Sequence, residues 1–356
     1  MNRSILPSAV RQRLLAHVGS LRTALALMLL LGLVALLRPD APSLAVVFGA
    51  LGANLLAALV VHPLLRRRLP LLVFHVALLA LVLLAGAGRL LSVEGRFELL
   101  QGESFDGVLL REDGANVAVP ALAAVGLHHE GFTIDYAPGR RRGATRNTVG
   151  WTPAGGPVQR AVIGDHRPLQ VDGWRIYTSS NKGFAPVLRW QPADGSPAVV
   201  GAVHLPSFPM HELRQSSEWT LPDGRSVWLM LQVDENLIAP DASDTFRVPQ
   251  RHRVVLRQGD ARVELAPGQA WRADGGTLVY EGLRTWMGYR ASRDPTLSWL
   301  LAAALAAAFA LALHYAALAW PRPVGLPAVA PTPTPGAPVM SVRAPTAARS
   351  AEGGHG

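Results

Sequence analysis

The stretch LPLLVFHVALLALVLLAGAG at residues 69–88, followed by EGRFELLQGESF at 94–105, decides the fold of this chain. An apolar run of about 20 residues is long enough to cross the hydrocarbon core of a bilayer as a helix. The insert of about two hundred residues that follows this helix reads in short alternating stretches, which is the pattern of half-buried strands. The sequence therefore predicts a membrane helix that leads directly into a β domain.

Three more apolar runs, at residues 21–37, 44–61 and 297–320, have the composition of membrane spans. With the run at 71–91 they predict an α-helical membrane protein of four transmembrane helices, with a large all-β extracytoplasmic domain between helices 3 and 4. No cleavage pattern follows the first run, so we expect it to remain as an anchor. The predicted parts are an N-terminal segment with helices 1–3 (1–91), the β domain (92–296), the fourth helix (297–320) and a disordered Pro-rich cytoplasmic tail (321–356).

Two arginine clusters orient these spans. Arg3, Arg11, Arg13 and Arg22 lie before or at the start of the first run with no acidic residue among them, and three arginines fill positions 66–68. The positive-inside rule places both clusters in the cytoplasm. We therefore expect both termini inside, and the loop at 38–43 and the β domain outside.

The composition excludes several classes of function. The chain has no cysteine, which rules out disulfides, thiol catalysis and a self-attached c-type heme. Its net charge of +9 comes largely from arginines beside apolar runs, and no basic patch is interleaved with aromatic residues, so we expect no nucleic-acid binding. No nucleophile elbow or phosphate-binding glycine loop is present, and we expect no independent enzymatic activity.

Short alternating stretches fill residues 92–296, and Gly, Pro and Asp bound them. This pattern predicts an antiparallel β sandwich or a barrel-like sheet. The tripeptide QGD at 258–260 lies between two such stretches and predicts a hairpin. The clearest stretches are FTIDY (132–136), WRIYTSS (174–180), SVWLMLQV (226–233), RVVLRQG (253–259) and TLVYEGL (277–283).

Four stretches, in this order, resemble the ResB family, also called CcsB, of system II cytochrome c biogenesis proteins. They are SLRTALALMLLLGL (20–33), the helix and its exit at 69–105, GDHRPLQVDGWRIYTSSNKGFAPVLRW (164–190) and the segment LRTWMGYRASRDPTLSWLLAAALAAAFALAL (283–313). The resemblance implies three membrane helices, a large outer β domain and a final helix, in the bacterial inner membrane.

The same resemblance implies a function and partners. Such proteins work with a ResC or CcsA-type heme ligase subunit that carries a tryptophan-rich heme motif, and together they export heme and attach it to apocytochrome c. This chain contains no WGxxWxWD-type motif. It is expected to be the accessory subunit of the complex and to hold heme b transiently.

His75 is the main candidate for a heme ligand. It lies five residues beyond Pro70, about 7 Å into the membrane from the cytoplasmic face. An ionisable side chain inside a span indicates function, and neutral imidazole is a common axial ligand of heme iron. By its position in FHVALLAL it also matches the transmembrane histidine that the resembled family uses on heme. The alternative is a histidine that hydrogen-bonds a neighbouring helix.

His314, in the last span near its cytoplasmic end, is a second and weaker candidate. Paired with His75 it would make a bis-histidine site. The sequence HYAALAW is also typical of a helix end at the bilayer interface, and this interpretation is the favoured one.

Five residues of the outer domain could form a contact surface for the ligase or for apocytochrome c: Trp174, Tyr177, Asn181, Lys182 and Phe184. The favoured alternative is that this segment records folding requirements alone, because Gly173 and Gly183 permit tight turns.

We expect no metal site in the outer domain. His128 and His129 are adjacent and would point to opposite faces of a strand. The remaining outer histidines lack the spacing of metal-ligand motifs. These are His166, His204, His211 and His252.

A second hypothesis about the function, a structural role in place of heme handling, stays open. The chain could be a membrane scaffold without heme, whose β domain recruits apocytochrome c or a thioredoxin-like thiol reductant. A membrane-tethered sensor is disfavoured, since no signalling element is visible on the cytoplasmic side.

Overall fold

The structure is a computed structural model that describes residues 8–38, 40–153, 156–164, 166–206, 215–239 and 241–320. The predicted disordered tail at 321–356 lies outside these residues, and so do Arg3 and His211. Two kinds of unit follow each other along the described chain, apolar helices at both ends and strands between them.

Helices occupy all four predicted apolar runs, with ends within three residues of those expected. Ser20 and Asp40 cap the second and third helices, because their side chains accept hydrogen bonds from the backbone N–H groups of Thr23 and Ser43. The helices are α1 (Ser8–Val18), α2 (Leu21–Leu37), α3 (Ala41–Val61), α4 (Pro63–Arg66), α5 (Leu69–Leu91), α6 (Pro120–Ala123) and α7 (Leu297–Ala319).

Three helices of the described chain, α3, α5 and α7, are long and apolar enough to cross a membrane. A fourth span results if α1 and α2, which are bent by 46° at their junction, are counted as one. The bend packs against α3, where a Cβ added at Gly19 would lie 2.6 Å from the Ala58 nitrogen. The amide of Asn54, buried in α3, donates to the carbonyls of Val18 and Ser20 and so satisfies backbone groups that the bend frees. The chain thus has three to four apolar helices.

Seventeen strands lie between α5 and α7 in the described chain. They are β1 (Val93–Leu100), β2 (Val108–Leu110), β3 (Asn116–Ala118), β4 (His128–Ala137), β5 (Arg141–Trp151), β6 (Gln159–Gly164), β7 (Leu169–Val171), β8 (Trp174–Pro192), β9 (Val199–Ala202), β10 (Leu205–Pro206), β11 (Ser216–Thr220), β12 (Ser226–Val233), β13 (Asp244–Thr245), β14 (His252–Gln258), β15 (Ala261–Leu265), β16 (Ala270–Ala273) and β17 (Gly276–Arg293).

The strands form three antiparallel sheets. The largest has the order β10-β8-β17-β1-β2-β3, with β7 and β9 also on β8 and β16 also on β17. The others have the orders β11-β12-β14-β15 and β13-β4-β5-β6. The predicted hairpin is confirmed, because Gln258 pairs with Ala261 across a two-residue turn. All five predicted strand stretches lie in these sheets.

One core joins the three sheets. Leu188 from the largest sheet, Val149 from the third and Leu229 from the second are fully buried in it. Phe246 stacks between Phe132 and Phe184, with ring centroids 5.4 and 4.9 Å away. Aromatic pairs of this kind stabilise a core beyond the area that they bury.

The largest sheet also connects the β domain to the membrane helices. β1 begins directly after α5, β17 ends directly before α7, and the two strands pair with Val93 opposite Arg293. A Cβ added at Gly88 of α5 would lie 2.7 Å from the Thr296 hydroxyl oxygen, so the end of α5 and the start of α7 are in close contact. The two helices therefore continue an antiparallel pair of strands.

Candidate functional site

His75 is half-buried in the second turn of α5. Its Nδ1 lies 2.7 Å from the Leu71 carbonyl oxygen of the same helix. Because a carbonyl can only accept, Nδ1 carries the proton, and in the neutral ring Nε2 keeps its lone pair. This hydrogen bond is made within the helix, whereas the alternative interpretation required a bond to a neighbouring helix. Metal-binding histidines commonly donate their other nitrogen in this way.

The level of His75 in the bundle follows from glycine contacts between the helices. A Cβ added at Gly86 of α5 would lie 2.9 Å from the Phe48 Cβ of α3, and α5 meets α7 at Gly88 and Thr296. Counting along these antiparallel pairs at about 1.5 Å per residue places His75 near the level of Leu59 and Phe309. Leu59 is buried in the bundle, whereas Phe309 is 67% exposed, so the counting gives the level of His75 along the helices.

His314 lies in the same half of the bundle. The same counting puts it near the level of Pro70, about 7 Å from the level of His75 along the helix axes. The ring of His75 contacts Phe74 at 5.1 Å, and the ring of His314 contacts Tyr315 at 5.7 Å. Within the described residues the two imidazoles make no direct contact, and their pairing stays a prediction.

The predicted contact surface of the outer domain is wrong for three of its five residues. Trp174, Lys182 and Phe184 are only 3%, 1% and 4% exposed. The reason is that β8 runs through the largest sheet beside β17 and turns these side chains into the interior. Lys182 donates to the Ser179 carbonyl at 3.3 Å. Tyr177 is half-buried and Asn181 is exposed, so only these two can contact a partner.

A buried polar network that the sequence did not indicate joins β4, β5 and β17. The Tyr289 hydroxyl donates to Asn147 Oδ1 at 2.9 Å, and Asn147 Nδ2 lies 2.9 Å from His129 Nδ1. All three residues are fully buried. Since Nδ1 accepts from the amide, the ring proton is on Nε2.

Burial sets the protonation of this network. It lowers the pKa of His129 to about 4 and raises the pKa of the Tyr289 hydroxyl well above its usual value. Both side chains are therefore neutral at pH 7. The prediction that His128 and His129 point to opposite faces is confirmed, because the His128 side chain is 26% exposed.

His204 makes a second contact that sequence reasoning missed. Its Nδ1 lies 2.8 Å from a Glu98 carboxylate oxygen, and its ring stacks on Trp286 at 4.6 Å. Glu98 lies on β1, 106 residues before His204 in the sequence. Trp286 lies on β17, more than 80 residues after His204. In the part of the chain that the structure describes, no three His, Asp or Glu side chains are grouped as metal ligands would be.

These features define a membrane protein in which three or four apolar helices carry a large antiparallel β domain, with a histidine inside one helix. The model of the ResB-like family matches residues 65–317, which is most of the chain. The chain therefore belongs to the ResB-like family, as the sequence resemblance predicted. No curated protein matches it.

Among solved structures, the chain is similar to one described as cytochrome c heme lyase CcmF. The identity is 15%, and the similarity covers 90% of this chain and 36% of that one with a TM-score of 0.27. The chain thus spans about a third of the length of that protein. At this TM-score the similarity does not establish a common fold.

Proposed function

We propose that this protein is the accessory membrane subunit of a system II cytochrome c synthetase, which assists heme export and delivers heme to apocytochrome c. The observation that carries the proposal is His75, a polar side chain in a membrane helix whose Nδ1 is already bonded to the Leu71 carbonyl. Membership of the ResB-like family supports the same role. The protein has no cysteine, so it holds heme without a covalent thioether bond.

The residues around His75 fit transient heme b. The intrahelical hydrogen bond orients the ring and leaves Nε2 as the nitrogen that would bind iron. The apolar sequence of α5 around His75 suits a porphyrin face. When bound, heme supplies the iron porphyrin that is passed on, and His75 supplies one exchangeable axial ligand.

Attachment of heme to the cysteine thiols of apocytochrome c would take place in a ResC or CcsA-type partner subunit. A tryptophan-rich heme motif is missing from this sequence, and its nine tryptophans lie apart from one another between residues 151 and 320. This chain receives heme near the cytoplasmic face, and the partner subunit attaches the heme to apocytochrome c on the extracytoplasmic side.

The proposal is tested by expressing the full chain with its ligase partner and measuring heme per purified complex by its absorption spectrum. His75→Ala should lower the heme content and the yield of mature cytochrome c at least about tenfold, since a metal–ligand bond is removed. His62→Ala is the control, because His62 is an exposed histidine at the C-terminal end of α3. Unchanged heme content and maturation in His75→Ala at equal protein level would contradict the proposal.

A second candidate function is a docking platform without heme, and the accessibility of Tyr177 and Asn181 favours it. In that case the combined change Tyr177→Ser and Asn181→Ala should stop maturation, while His75→Ala should not. Changes at Trp174 or Phe184 cannot make this distinction, because they would disturb the core. The two functions are separated by which of the variants loses cytochrome c.

A further inference from the structure

A short segment at residues 203–205, which we call the strap, crosses the face of the largest sheet that points away from the core. We call this face the outer face. The strap leads into β10, which is attached to β8 by two residue pairs. The sheet order β10-β8-β17-β1 puts two strands between β10 and β1. His204 nevertheless contacts Glu98 on β1, so its side chain extends over β8 and β17.

Trp286 of β17 lies beneath the strap. Its indole Nε1–H donates to the Leu205 carbonyl at 2.9 Å. Gly183 stands opposite Trp286 on β8, so no side chain separates the indole from β10. Arg284 and Arg290, on the same face of β17, are exposed, whereas Trp286 is only 4% exposed. The strap therefore covers an aromatic surface that the sheet alone would leave open.

His204 is the residue of the strap whose charge can change. Its ring lies 4.6 Å from the Trp286 ring with the two planes 7° apart, and its Nδ1 lies 2.8 Å from a Glu98 carboxylate oxygen. A protonated imidazole forms an ion pair with the carboxylate and is attracted to the face of the indole. A neutral imidazole loses the charge part of both contacts. The strap is therefore held more firmly when His204 is protonated.

The strands beneath the strap carry further charged groups. They are Glu94, Arg96 and Glu98 on the outer face of β1, Arg284 and Arg290 on the outer face of β17, and Lys182 of β8, which is 1% exposed and points to the core. Arg290 is paired with Glu94, and Arg284 donates to a backbone carbonyl. The imidazole is bonded to the carboxylate of Glu98. Arg96, two residues away on the same face, opposes its protonation from a greater distance, so the net effect of charge is moderate.

We propose that residues 203–205 form a pH-sensitive strap, which is closed over Trp286 while His204 is protonated and loosens as the imidazole loses its proton. Because two residue pairs attach β10 to the sheet, the side-chain contacts of His204 are needed to hold the strap. These contacts are strongest near the acid end of the range in which histidine titrates, about pH 5, and weaken toward about pH 8. Loosening uncovers the indole on the outer face. The strap is independent of the proposed role in heme handling.

The first test follows hydrogen exchange of the strap amides in the full chain in detergent, from about pH 5 to about pH 8, corrected for intrinsic exchange. The Val203 N–H donates to the Pro186 carbonyl and reports on closure. Its protection should fall about three- to fivefold as the pH rises, the size expected for one exposed ion pair and one cation–π contact. His204→Gln and Glu98→Gln should each remove this dependence. His166→Gln, a change at an exposed histidine of the same domain, is the control and should retain it.

The second test measures exposure of the Trp286 ring by hydroxyl-radical labelling, read by peptide mass spectrometry. Labelling of Trp286 should rise about twofold or more from about pH 5 to about pH 8 in the wild type, and should not depend on pH in Glu98→Gln. Trp228 is the internal control, because the guanidinium of Arg257 lies over its ring at 5.1 Å and stays charged throughout this range. A contact with a structural role alone would not give a pH-dependent exposure of Trp286.

Three outcomes would overturn the strap. They are exchange of the strap amides that does not depend on pH in the wild type, a dependence that persists in His204→Gln, and a dependence that His166→Gln also removes. His204→Phe, which keeps an aromatic ring on Trp286 without a charge, should behave as His204→Gln does and serves if the glutamine variant does not fold. His75→Ala should leave strap exchange unchanged while it lowers heme content, so failure of one proposal is distinguishable from failure of the other.

Discussion

At the residue scale, hydrogen bonds made by one imidazole nitrogen determine what the other can do. His75 donates Nδ1–H to a carbonyl of its own helix and keeps Nε2 for a ligand. His129 accepts at Nδ1 from Asn147 and carries its proton on a buried Nε2. The same side chain is therefore a ligand candidate in the helix and a neutral core group in the β domain.

His129 should make the β domain less stable in acid. Its pKa falls from 6.5 to about 4 on folding, so between these values the unfolded chain binds the proton and the folded chain does not. The stability contribution is complete above pH 6.5 and is lost as the pH falls toward 4. At 1.36 kcal/mol per pKa unit, the loss is about 3 kcal/mol.

The measurement is hydrogen exchange of the β4 and β5 amides in the full chain in detergent, between pH 4 and 7, corrected for intrinsic exchange. His129→Gln should flatten the pH dependence of the opening free energy, because no group in the network then gains a proton. His128→Gln, on the opposite face of the same strand, should retain it. Equal curves for both variants would show that the network does not govern acid stability.

At the scale of elements, glycines determine how closely the membrane helices approach. Gly86 packs on Phe48, and a Cβ at Gly52 would lie 2.6 Å from a methyl carbon of Leu83. Gly49, also on α3, has no neighbouring atom within 4 Å of such a Cβ. One face of α3 is therefore fitted to α5, and another face is free to contact lipid.

Gly86→Val should push α5 away from α3 and destabilise the bundle by about 1–3 kcal/mol, as overpacking commonly does. The thermal unfolding midpoint of the purified chain in detergent should fall by several degrees. Gly49→Val, the same change on the open face, should leave it nearly unchanged. Equal midpoints for the two variants would mean that α3 and α5 do not pack through Gly86.

At the scale of the whole molecule, the direct connection of α5 to β1 and of β17 to α7 places the β domain at one end of the bundle. Val93 pairs with Arg293, and Gly88 contacts Thr296, so both ends of the β domain are fixed to the helices. The β domain can therefore move little relative to α5 and α7. We expect the domain and the helices to keep one orientation in the membrane.

The absence of cysteine makes that orientation directly measurable. A single cysteine at Asp274→Cys, an exposed turn of the β domain, should react with a membrane-impermeant maleimide in intact cells. Arg67→Cys, in the basic link between α3 and α5, should react only after the membrane is permeabilised, because the positive-inside rule places it in the cytoplasm. The unmodified chain is the background control. The reverse pattern would invert the predicted topology.

Local patterns allowed the helices and hairpins to be predicted from the sequence. The apolar run at 69–88 and the hairpin at 258–261 depend on residues that are neighbours in the chain. Burial of Lys182 could not be predicted in this way, because it depends on β8 lying beside β17, about 100 residues later. The His129–Asn147–Tyr289 network likewise spans 160 residues.

The sequence by itself determined the membrane helices, the β character of the insert, the lack of thiol chemistry and the family, since each follows from composition, period or motif. Only the tertiary structure decided which side chains of 174–184 are buried and that His129, Asn147 and Tyr289 form one buried network. The physical reason is that burial and hydrogen bonding belong to pairs of segments that only folding brings together.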